Sequence, residues 1–231
     1  MLRALLQHLS ATLPGQCALC QAWPAQPLCA ACRARFVRPG TRCLRCARPV
    51  PAGVPCCGAC LRDEPPLDLC LAAVSYEYPW SGLIARYKFG PSPGWSATLA
   101  GLMRDSPGAA AALEQADLLL PLPLSGQRLR ERGFNQALEL ARQLAPAKTR
   151  ADLLLRLRDT PAQSSLPLER RLRNVQGVFG LGNEGEHAVR GRRILLVDDV
   201  MTSGATLHAA ARLLRAAGAD HLTGLVLART A

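Results

Sequence analysis

The chain has few lysines, few aromatic residues and no long apolar run. Aromatic residues make up only 4% of its 231 residues, and lysine occurs only at positions 88 and 148. It contains no stretch of about 18 consecutive apolar residues, which a membrane span would need. Residues 1–17 lack the unbroken apolar segment and small-residue cleavage site of a signal peptide. We therefore expect a cytoplasmic protein without a membrane span, whose core consists mainly of leucine, alanine and valine.

The chain carries an excess of positive charge, with a formal net charge of +11. Such a balance favours anionic partners: phosphates, nucleotides or nucleic acid. Nearly all the basic residues are arginine, however, so the codon bias of a GC-rich genome is an alternative explanation for the excess. With 49% hydrophobic residues, the chain has enough apolar content for one α/β domain and a small additional module.

All ten cysteines fall between positions 17 and 70, and eight of them form four Cys-x-x-Cys pairs. The pairs are Cys17/Cys20, Cys29/Cys32, Cys43/Cys46 and Cys57/Cys60. Each pair can place two thiolates on one zinc ion, and two pairs complete a tetrahedral site. Consecutive pairing gives two sites, whereas a crossed pairing or a single filled site fits the same spacing. Cytoplasmic thiols stay reduced, which favours metal binding over disulfides. We predict a zinc ribbon that holds one or two structural zinc ions.

Two cysteines fall outside these pairs. Cys56 abuts Cys57 and competes for the same ligand position, while Cys70 precedes an apolar stretch and is predicted to be a buried structural thiol. A site of four thiolates leaves no coordination position open for a substrate. The chemistry must therefore be sought in the rest of the chain.

From residue 117 onward, strand-like and helix-like patterns alternate. We predict strands over 117–124, 193–199 and 221–229, and helices over 135–145 and 204–219. This alternation predicts an α/β fold with a parallel sheet flanked by helices, in which ligands bind at the carboxyl ends of the strands. We place the ribbon and an N-terminal helix in residues 1–68 and the α/β domain in residues 69–231.

The stretch "ILLVDDVMTSGAT" places two carboxylates, Asp198 and Asp199, at the end of a buried strand. The loop that follows consists of Thr202, Ser203, Gly204, Ala205 and Thr206. Unpaired N–H groups at the start of the next helix, together with the hydroxyls, suit a phosphate. The carboxylates would repel phosphate, so they suit ribose hydroxyls and a hydrated Mg²⁺. The stretch predicts a site for a ribose 5-phosphate, since both the Walker pattern and the dinucleotide-binding glycine pattern are absent.

Residues 194–206 resemble the phosphoribosyl pyrophosphate signature of type I phosphoribosyltransferases. Together with "PLPLSGQRLRERGFNQA" (121–137), "RDTPAQSSLPLERRLRNVQGVF" (158–179) and the paired cysteines, nearly the whole chain resembles the competence protein F (ComF) family. The resemblance implies an N-terminal zinc ribbon joined to a type I phosphoribosyltransferase-like domain. Some members of that family are implicated in natural transformation, where they handle incoming single-stranded DNA.

The resemblance also implies roles for individual residues. It assigns catalysis to Asp198, Asp199, Arg132 and Arg170. It assigns phosphoribosyl pyrophosphate binding to residues 202–206 and to Arg128, Lys88, Gln163 and Asn174. Residues 158–174 are expected to close over the substrate as a mobile loop. Ser125 occupies a position at which the family usually has histidine.

Two functions are compatible with this sequence. The favoured one is a Mg²⁺-dependent phosphoribosyltransferase with an unknown acceptor, linked to DNA uptake or to nucleotide metabolism. The alternative is a non-catalytic module that senses phosphoribosyl pyrophosphate or a nucleotide, while its ribbon binds single-stranded DNA, a helicase or other competence-machinery proteins. The ribbon and residues 70–116 are the candidates for the part that recognises the acceptor.

Overall fold

A computed structural model describes residues 15–23, 26–38, 40–90, 95–158 and 177–231. The chain divides into two compact units, Met1–Arg38 and Pro39–Ala231. The first group of four cysteines lies in the smaller unit, and the second group lies in the larger unit with the sheet. The domain boundary expected between residues 68 and 69 stays a prediction.

The described residues of the smaller unit include a tight cysteine-containing turn and the short helix α1 (Ala30–Phe36). The turn is closed by a 2.7 Å hydrogen bond from the Gln21 N–H to the Cys17 carbonyl. Cys29 is the N-cap of α1, and its sulfur accepts a hydrogen bond from the Cys32 N–H. Local hydrogen bonds to backbone groups thus shape both Cys-x-x-Cys pairs of this unit.

The larger unit contains a four-stranded parallel sheet with the strand order β1-β6-β5-β2. Its strands are β1 (Leu69–Ser75), β2 (Leu118–Pro121), β5 (Arg193–Met201) and β6 (His221–Arg229). In register, Pro121 of β2 lies beside Val197 of β5, and Val226 of β6 lies beside Asp198. Because the strands are parallel, their carboxyl ends meet at one edge of the sheet, where such folds bind ligands.

The described helices of the larger unit are α2 (Gly58–Arg62), α3 (Trp80–Phe89), α4 (Ser96–Arg104), α5 (Ala109–Gln115), α6 (Gly126–Arg132), α7 (Gln136–Leu144), α8 (Gly185–Val189) and α9 (Ala205–Ala216). Of these, α4, α5, α7 and α9 contact strands of the sheet. Side chains alternate along a strand: Ile194 and Leu196 join the apolar cluster of α9, whereas Leu195 and Val197 are buried outside that cluster. Helices α4 and α7 pack together and against the sheet. The predicted helix-flanked parallel sheet is therefore confirmed.

A short antiparallel pair, β3 (Leu154–Arg156) and β4 (Phe179–Leu181), stands apart from the main sheet. Residues 159–176, between these strands, are not among the described residues. The loop expected at 158–174 therefore lies almost entirely outside the described part of the chain. So do Gln163, Arg170 and Asn174, the three candidate site residues predicted within that loop.

The second cysteine group is part of the core of the larger unit. Cys43, Cys46 and Cys60 are buried and belong to the same apolar cluster as Met201 and Leu207, which flank the loop after β5. Cys70 is also buried, as predicted, and its thiol donates to the Met201 sulfur at 3.6 Å. This cysteine group is thereby packed beside the carboxyl edge of the sheet.

The predicted elements agree with the structure where a pattern was continuous. Strand β6 has the predicted bounds, β5 is two residues longer, and β2 ends three residues earlier, at Pro121. Strand β1 was not predicted, although it pairs with β6 over its whole length. Its burial alternates residue by residue, as expected of an edge strand. In the described part of the chain, no helix is both long and apolar enough to cross a bilayer.

Candidate functional site

The loop between β5 and α9 is shaped by a glycine with left-handed backbone geometry. Gly204 has φ = 83° and is the N-cap of the 12-residue helix α9. A Cβ atom at this position would lie 2.5 Å from the Met201 Cε and 3.0 Å from the His208 ring. The Ser203 hydroxyl accepts a hydrogen bond from the Ala205 N–H at 3.3 Å. The left-handed backbone therefore favours glycine here, and a Cβ would require the Met201 and His208 side chains to shift.

Asp198 and the loop line one small pocket. Thr202, Gly204 and Thr206 contribute to its wall, together with Asp198. The pocket lies at the beginning of α9, where the backbone N–H groups of the first turn point outward and the helix dipole is positive. A carboxylate, hydroxyl-bearing side chains and a helix start thus meet within a few ångströms.

Asp199 faces a different set of groups from Asp198. Its Oδ1 lies 3.0 Å from the Lys88 Nζ, and its Oδ2 lies 3.9 Å from the Arg132 guanidinium. The Asp199 side chain is only 9% exposed and that of Lys88 only 16%. These are charges held in a partly desolvated environment, where pairing matters more than it does on a surface. The structure thus brings together four predicted residues from α3, α6 and β5.

The motif Arg132-Gly133-Phe134-Asn135-Gln136 forms the junction between α6 and α7. Gly133 ends α6 in the left-handed conformation. Asn135 is the N-cap of α7, and its side-chain oxygen accepts hydrogen bonds from the N–H groups of residues 137 and 138. Its side-chain amide donates to the Leu122 carbonyl at 3.1 Å. This junction ties α6 and α7 to the residue that follows β2.

The same junction fixes the arginine that approaches Asp199. The Arg132 guanidinium donates to the Gln136 Oε1 at 2.9 Å and lies 5.6 Å from the Phe89 ring centroid. Gln136 is almost fully buried, and the Phe134 ring packs edge-on against Tyr87 at 5.6 Å. These contacts hold the planar guanidinium in place, so that it is preorganised for an oxyanion.

The pKa of Asp198 is raised to about 7, first by burial and second by the negative charge of Asp199. The hydrogen bond that its Oδ1 accepts from the Asp199 N–H, at 2.8 Å, acts in the opposite direction, as do Lys88 and Arg132. The Asp198 carboxyl therefore holds a proton near neutral pH. Strongly raised carboxyl pKa values of this kind occur most often at functional sites.

Ser125 lies directly before α6, and Arg128 lies in the first turn of that helix. The Ser125 hydroxyl is the N-cap of α6 and accepts a hydrogen bond from the Arg128 N–H at 3.3 Å. Ser125, which stands where the family usually has histidine, thus has a structural role as the cap of α6. The Arg128 side chain is half-buried.

The cysteines group as two consecutive sets of four. The sulfur atoms of Cys17, Cys20, Cys29 and Cys32 all lie within 4.8 Å of one another, as do those of Cys43, Cys46, Cys57 and Cys60. A tetrahedral zinc site with bonds of about 2.3 Å needs sulfur atoms about 3.8 Å apart. The Cys20–Cys29 and Cys46–Cys57 pairs are each 3.7 Å apart. The residues therefore fit two zinc ions, one in each set.

Backbone hydrogen bonds favour the thiolate form at one or more cysteines of each set, whereas burial raises the pKa of Cys32, Cys46 and Cys60. Burial acts to raise the pKa of Cys17, but hydrogen bonds from neighbouring N–H groups outweigh it and lower the value to about 6. The same balance applies to Cys43, whose sulfur accepts from the Cys57 N–H at 3.3 Å. Cys56 and Cys70 belong to neither set. The donor chemistry of both sets is that of structural zinc.

Two residues near the site were not singled out from the sequence. Arg229 is buried at the end of β6 and donates to the Met201 carbonyl, at the start of the loop. His208 lies one turn into α9, and among the described residues its buried Nε2 has no hydrogen-bond partner. Burial, followed by the charges of Arg212 and Arg229, lowers the pKa of His208 to about 4. An arginine that ends an otherwise apolar strand was a signal available in the sequence.

Comparisons with known proteins point to one family. The phosphoribosyl transferase domain family matches residues 129–230. The DNA utilization protein YhgH of Escherichia coli strain K12 is 31% identical over 232 residues, which cover 95% of this chain and 99% of that protein. Competence protein F of Haemophilus influenzae is 32% identical over 87% of this chain and 90% of its own length. Competence protein ComFC of Bacillus subtilis is 40% identical over 97 residues, or 42% of this chain and 38% of that protein.

Proposed function

The chain belongs to the competence protein F family and contains a phosphoribosyltransferase domain; from this premise we propose that its strand-end site binds phosphoribosyl pyrophosphate with Mg²⁺ and transfers the ribose phosphate to an acceptor. The observation that carries the proposal is the meeting of two carboxylates, the Gly204 loop and the cations of Lys88 and Arg132 at one edge of the sheet.

Each part of the substrate has a matching part of the site in this proposal. The loop from Thr202 to Thr206 binds the 5-phosphate through backbone N–H groups and hydroxyls, because both donate to anionic oxygens. Asp198 and Asp199 accept hydrogen bonds from the ribose hydroxyls. Asp198 needs its ionised form for this, so binding is expected to strengthen as pH rises through about 7.

The cations are assigned to the pyrophosphate. As the acceptor attacks C1 of the ribose, the C1–O bond breaks and pyrophosphate leaves with the electron pair. Negative charge therefore grows on the leaving group, and Lys88, Arg132 and Arg128 stabilise it, as does the Mg²⁺ that arrives with the substrate. Before the substrate binds, Lys88 and Arg132 balance the charge of Asp199.

The residues outside the described ranges keep the roles that the family resemblance implies. Arg170, Gln163 and Asn174 are proposed to contact the substrate from the loop at 158–174. By closing over the site, that loop would exclude water, which otherwise hydrolyses the electrophilic ribose intermediate. The two sets of cysteines are proposed to hold one zinc ion each, which stabilises the fold around it.

A role in handling DNA is the second part of the proposal. The relatives are named DNA utilization protein and competence proteins, and the net charge of +11 favours a polyanion. We propose that the protein contacts single-stranded DNA through its basic surface. The affinity for an oligonucleotide should then fall steeply between 50 and 200 mM salt. Several phosphate contacts predict a loss of about tenfold or more over this range. An affinity unaffected by salt contradicts this mode of binding.

The deciding experiment measures both binding and turnover. Calorimetry with phosphoribosyl pyrophosphate and Mg²⁺ tests binding, and pyrophosphate release across a panel of nucleobases tests transfer. The double variant Asp198→Asn, Asp199→Asn should lose binding while remaining folded, whereas the exposed-site control Asp152→Asn should bind normally. Unchanged affinity in the double variant refutes the site. Binding without release in the wild type replaces the transferase with a sensing module.

A further inference from the structure

Arg229 is the most deeply buried charged side chain among the described residues. It ends β6, a strand whose other members from Leu222 to Ala228 are all buried, and it is 1% exposed. Lys or Arg is almost never fully buried unless its donors are satisfied. The position of those donors therefore indicates what this arginine does.

The Arg229 guanidinium joins the second cysteine set to the loop after β5. Its Nε donates to the carbonyl of Cys46 at 2.8 Å, and its Nη1 donates to the carbonyls of Met201 at 3.1 Å and of Thr202. A further hydrogen bond, to the Thr230 carbonyl at 2.7 Å, anchors the end of β6. One planar side chain thus connects a cysteine ligand with the first residue of the predicted phosphate loop.

The charge of Arg229 has an unusual counterpart. No carboxylate forms an ion pair with it in the described part of the chain, and its surroundings include the basic residues Arg42 and Arg48. Its Nε instead contacts the backbone of Cys46, a member of the second cysteine set. Four thiolates around one Zn²⁺ carry a net charge of −2, so a loaded second cysteine set supplies the negative charge that a buried guanidinium needs.

A second contact follows the same route. Cys70 donates its N–H to the Leu44 carbonyl at 2.7 Å, within the second cysteine segment, and its thiol to the Met201 sulfur. Two residues, Arg229 and Cys70, therefore connect the second cysteine segment to the start of the loop. Arg229 reaches the carbonyls of Met201 and Thr202, and Cys70 reaches the Met201 sulfur, shortly before the left-handed Gly204.

We propose that Arg229 is a positioning residue that couples the metal in the second cysteine set to the phosphate-binding competence of the 202–206 loop. The proposal rests on the function proposed above for that loop. With zinc bound, the Cys46 carbonyl and the negative cluster hold the guanidinium, and the guanidinium holds the carbonyls of Met201 and Thr202. Without zinc, the anchor is lost and the loop is less well ordered for the phosphate.

The coupling distinguishes the two cysteine sets. Cys60 belongs to the second set and Cys32 to the first, which lies in the other compact unit. In the full-length protein, Cys60→Ser should weaken the affinity for ribose 5-phosphate about tenfold, within the range typical of coupling between sites. Cys32→Ser should change it less than about twofold. Equal effects of the two substitutions contradict the coupling.

A pair of arginine substitutions tests the connection without removing a metal ligand. Arg229→Lys keeps the charge but not the planar set of donors, and should weaken ribose 5-phosphate binding about tenfold. Arg42→Lys is the matched control: Arg42 binds the adjacent Ala47 carbonyl of the same segment and the Ser75 hydroxyl, with no contact to the loop. This control should bind as the wild type does.

Two further readouts separate positioning from general destabilisation. Mg²⁺-pyrophosphate, assigned to Lys88 and Arg132, should bind Arg229→Lys with unchanged affinity, because only the loop is displaced. Amide exchange across residues 202–206, measured without ligand, should be faster in Arg229→Lys and Cys60→Ser than in Arg42→Lys. Should Cys60→Ser fail to fold, the two arginine variants decide the matter alone.

The outcomes for the two proposals are distinguishable. If the wild type does not bind ribose 5-phosphate, the proposed function fails, while amide exchange still tests the coupling between the cysteine set and the loop. If the wild type binds and Arg229→Lys binds equally well with unchanged exchange, the positioning role is refuted. An equal loss of ribose 5-phosphate and pyrophosphate binding also refutes it.

Discussion

Replacing Asp198 with asparagine should make the ligand-free protein more stable, and the gain should grow with pH. The Asp198 carboxyl is half-buried beside Asp199, and desolvation is the first cause that raises its pKa to about 7. In an unfolded chain the same carboxyl titrates near 3.9. The folded protein therefore holds this proton more tightly, and the stability of the wild type falls as pH rises from about 4 to about 7.

The size of the effect follows from the separation of the two pKa values. The folded and unfolded pKa values differ by about three, and each whole pKa step corresponds to about 1.4 kcal/mol. The ionised carboxylate therefore lowers the free energy of unfolding by at most about 4 kcal/mol above pH 7. Asp198 is not completely shielded from solvent, so we expect roughly half of this, about 2 kcal/mol. Asparagine does not ionise, so the variant avoids the cost. The gain should be about 1 kcal/mol at pH 5.5 and about 2 kcal/mol at pH 8.

Urea unfolding of both proteins with zinc present, at intervals from pH 5.5 to 8.5, measures this gain. Asp152→Asn is the control with the opposite sign, since the hydrogen bond from Arg150 lowers the pKa of Asp152. Asp198→Asn should also lose its affinity for ribose 5-phosphate. A variant less stable than the wild type at pH 8, or a gain that does not change with pH, would refute the reasoning that this carboxylate is kept at the expense of stability.

Three further substitutions test other parts of the molecule. Lys88→Met leaves the buried Asp199 carboxylate with only Arg132, 3.9 Å away, as its partner. The free energy of unfolding in urea should fall by about 3 kcal/mol, and the affinity for pyrophosphate should also fall. Lys88→Arg should restore most of both. Gly204→Ala places a methyl group on a residue with left-handed backbone, so it should lower the free energy of unfolding by at least about 1 kcal/mol and weaken ribose 5-phosphate binding. The control Gly101→Ala, where α4 leaves open space for a methyl group, should not destabilise the protein. Cys60→Ser should reduce bound zinc, measured by mass spectrometry, from two ions to one, whereas Cys70→Ser should leave both.

Much of the larger unit could be predicted from local patterns. The run "HLTGLVLAR" became β6 with the expected bounds, and the helical periodicity after Gly204 became α9. Strand β1 escaped prediction because a half-buried edge strand has a short alternating pattern, and only pairing with β6 reveals its place. The burial of the aromatic residues near β1 also depends on the tertiary structure. In the structure Trp80 and Tyr87 are buried, while Phe89 is exposed beside Arg132.

The candidate site was predictable as a set of residue types but not as an arrangement. The carboxylates and the loop could be predicted from the stretch "DDVMTSGAT" because turn formation and helix capping depend on a few neighbouring residues. Lys88 was a candidate through the family resemblance alone, and its 3.0 Å contact with Asp199 is visible only in the folded protein.

The sequence by itself determined what is local in this protein: the paired cysteines, the strand that ends in two aspartates, and the glycine that turns the chain into α9. These follow from spacing, periodicity and allowed backbone angles, which neighbouring residues set among themselves. Tertiary structure alone decided which cysteine pairs group together, which cations face Asp199, and that Arg229 reaches Cys46, 183 positions away. Such contacts depend on the packing of the whole sheet and its helices, because burial and charge pairing act between groups that only the fold brings together.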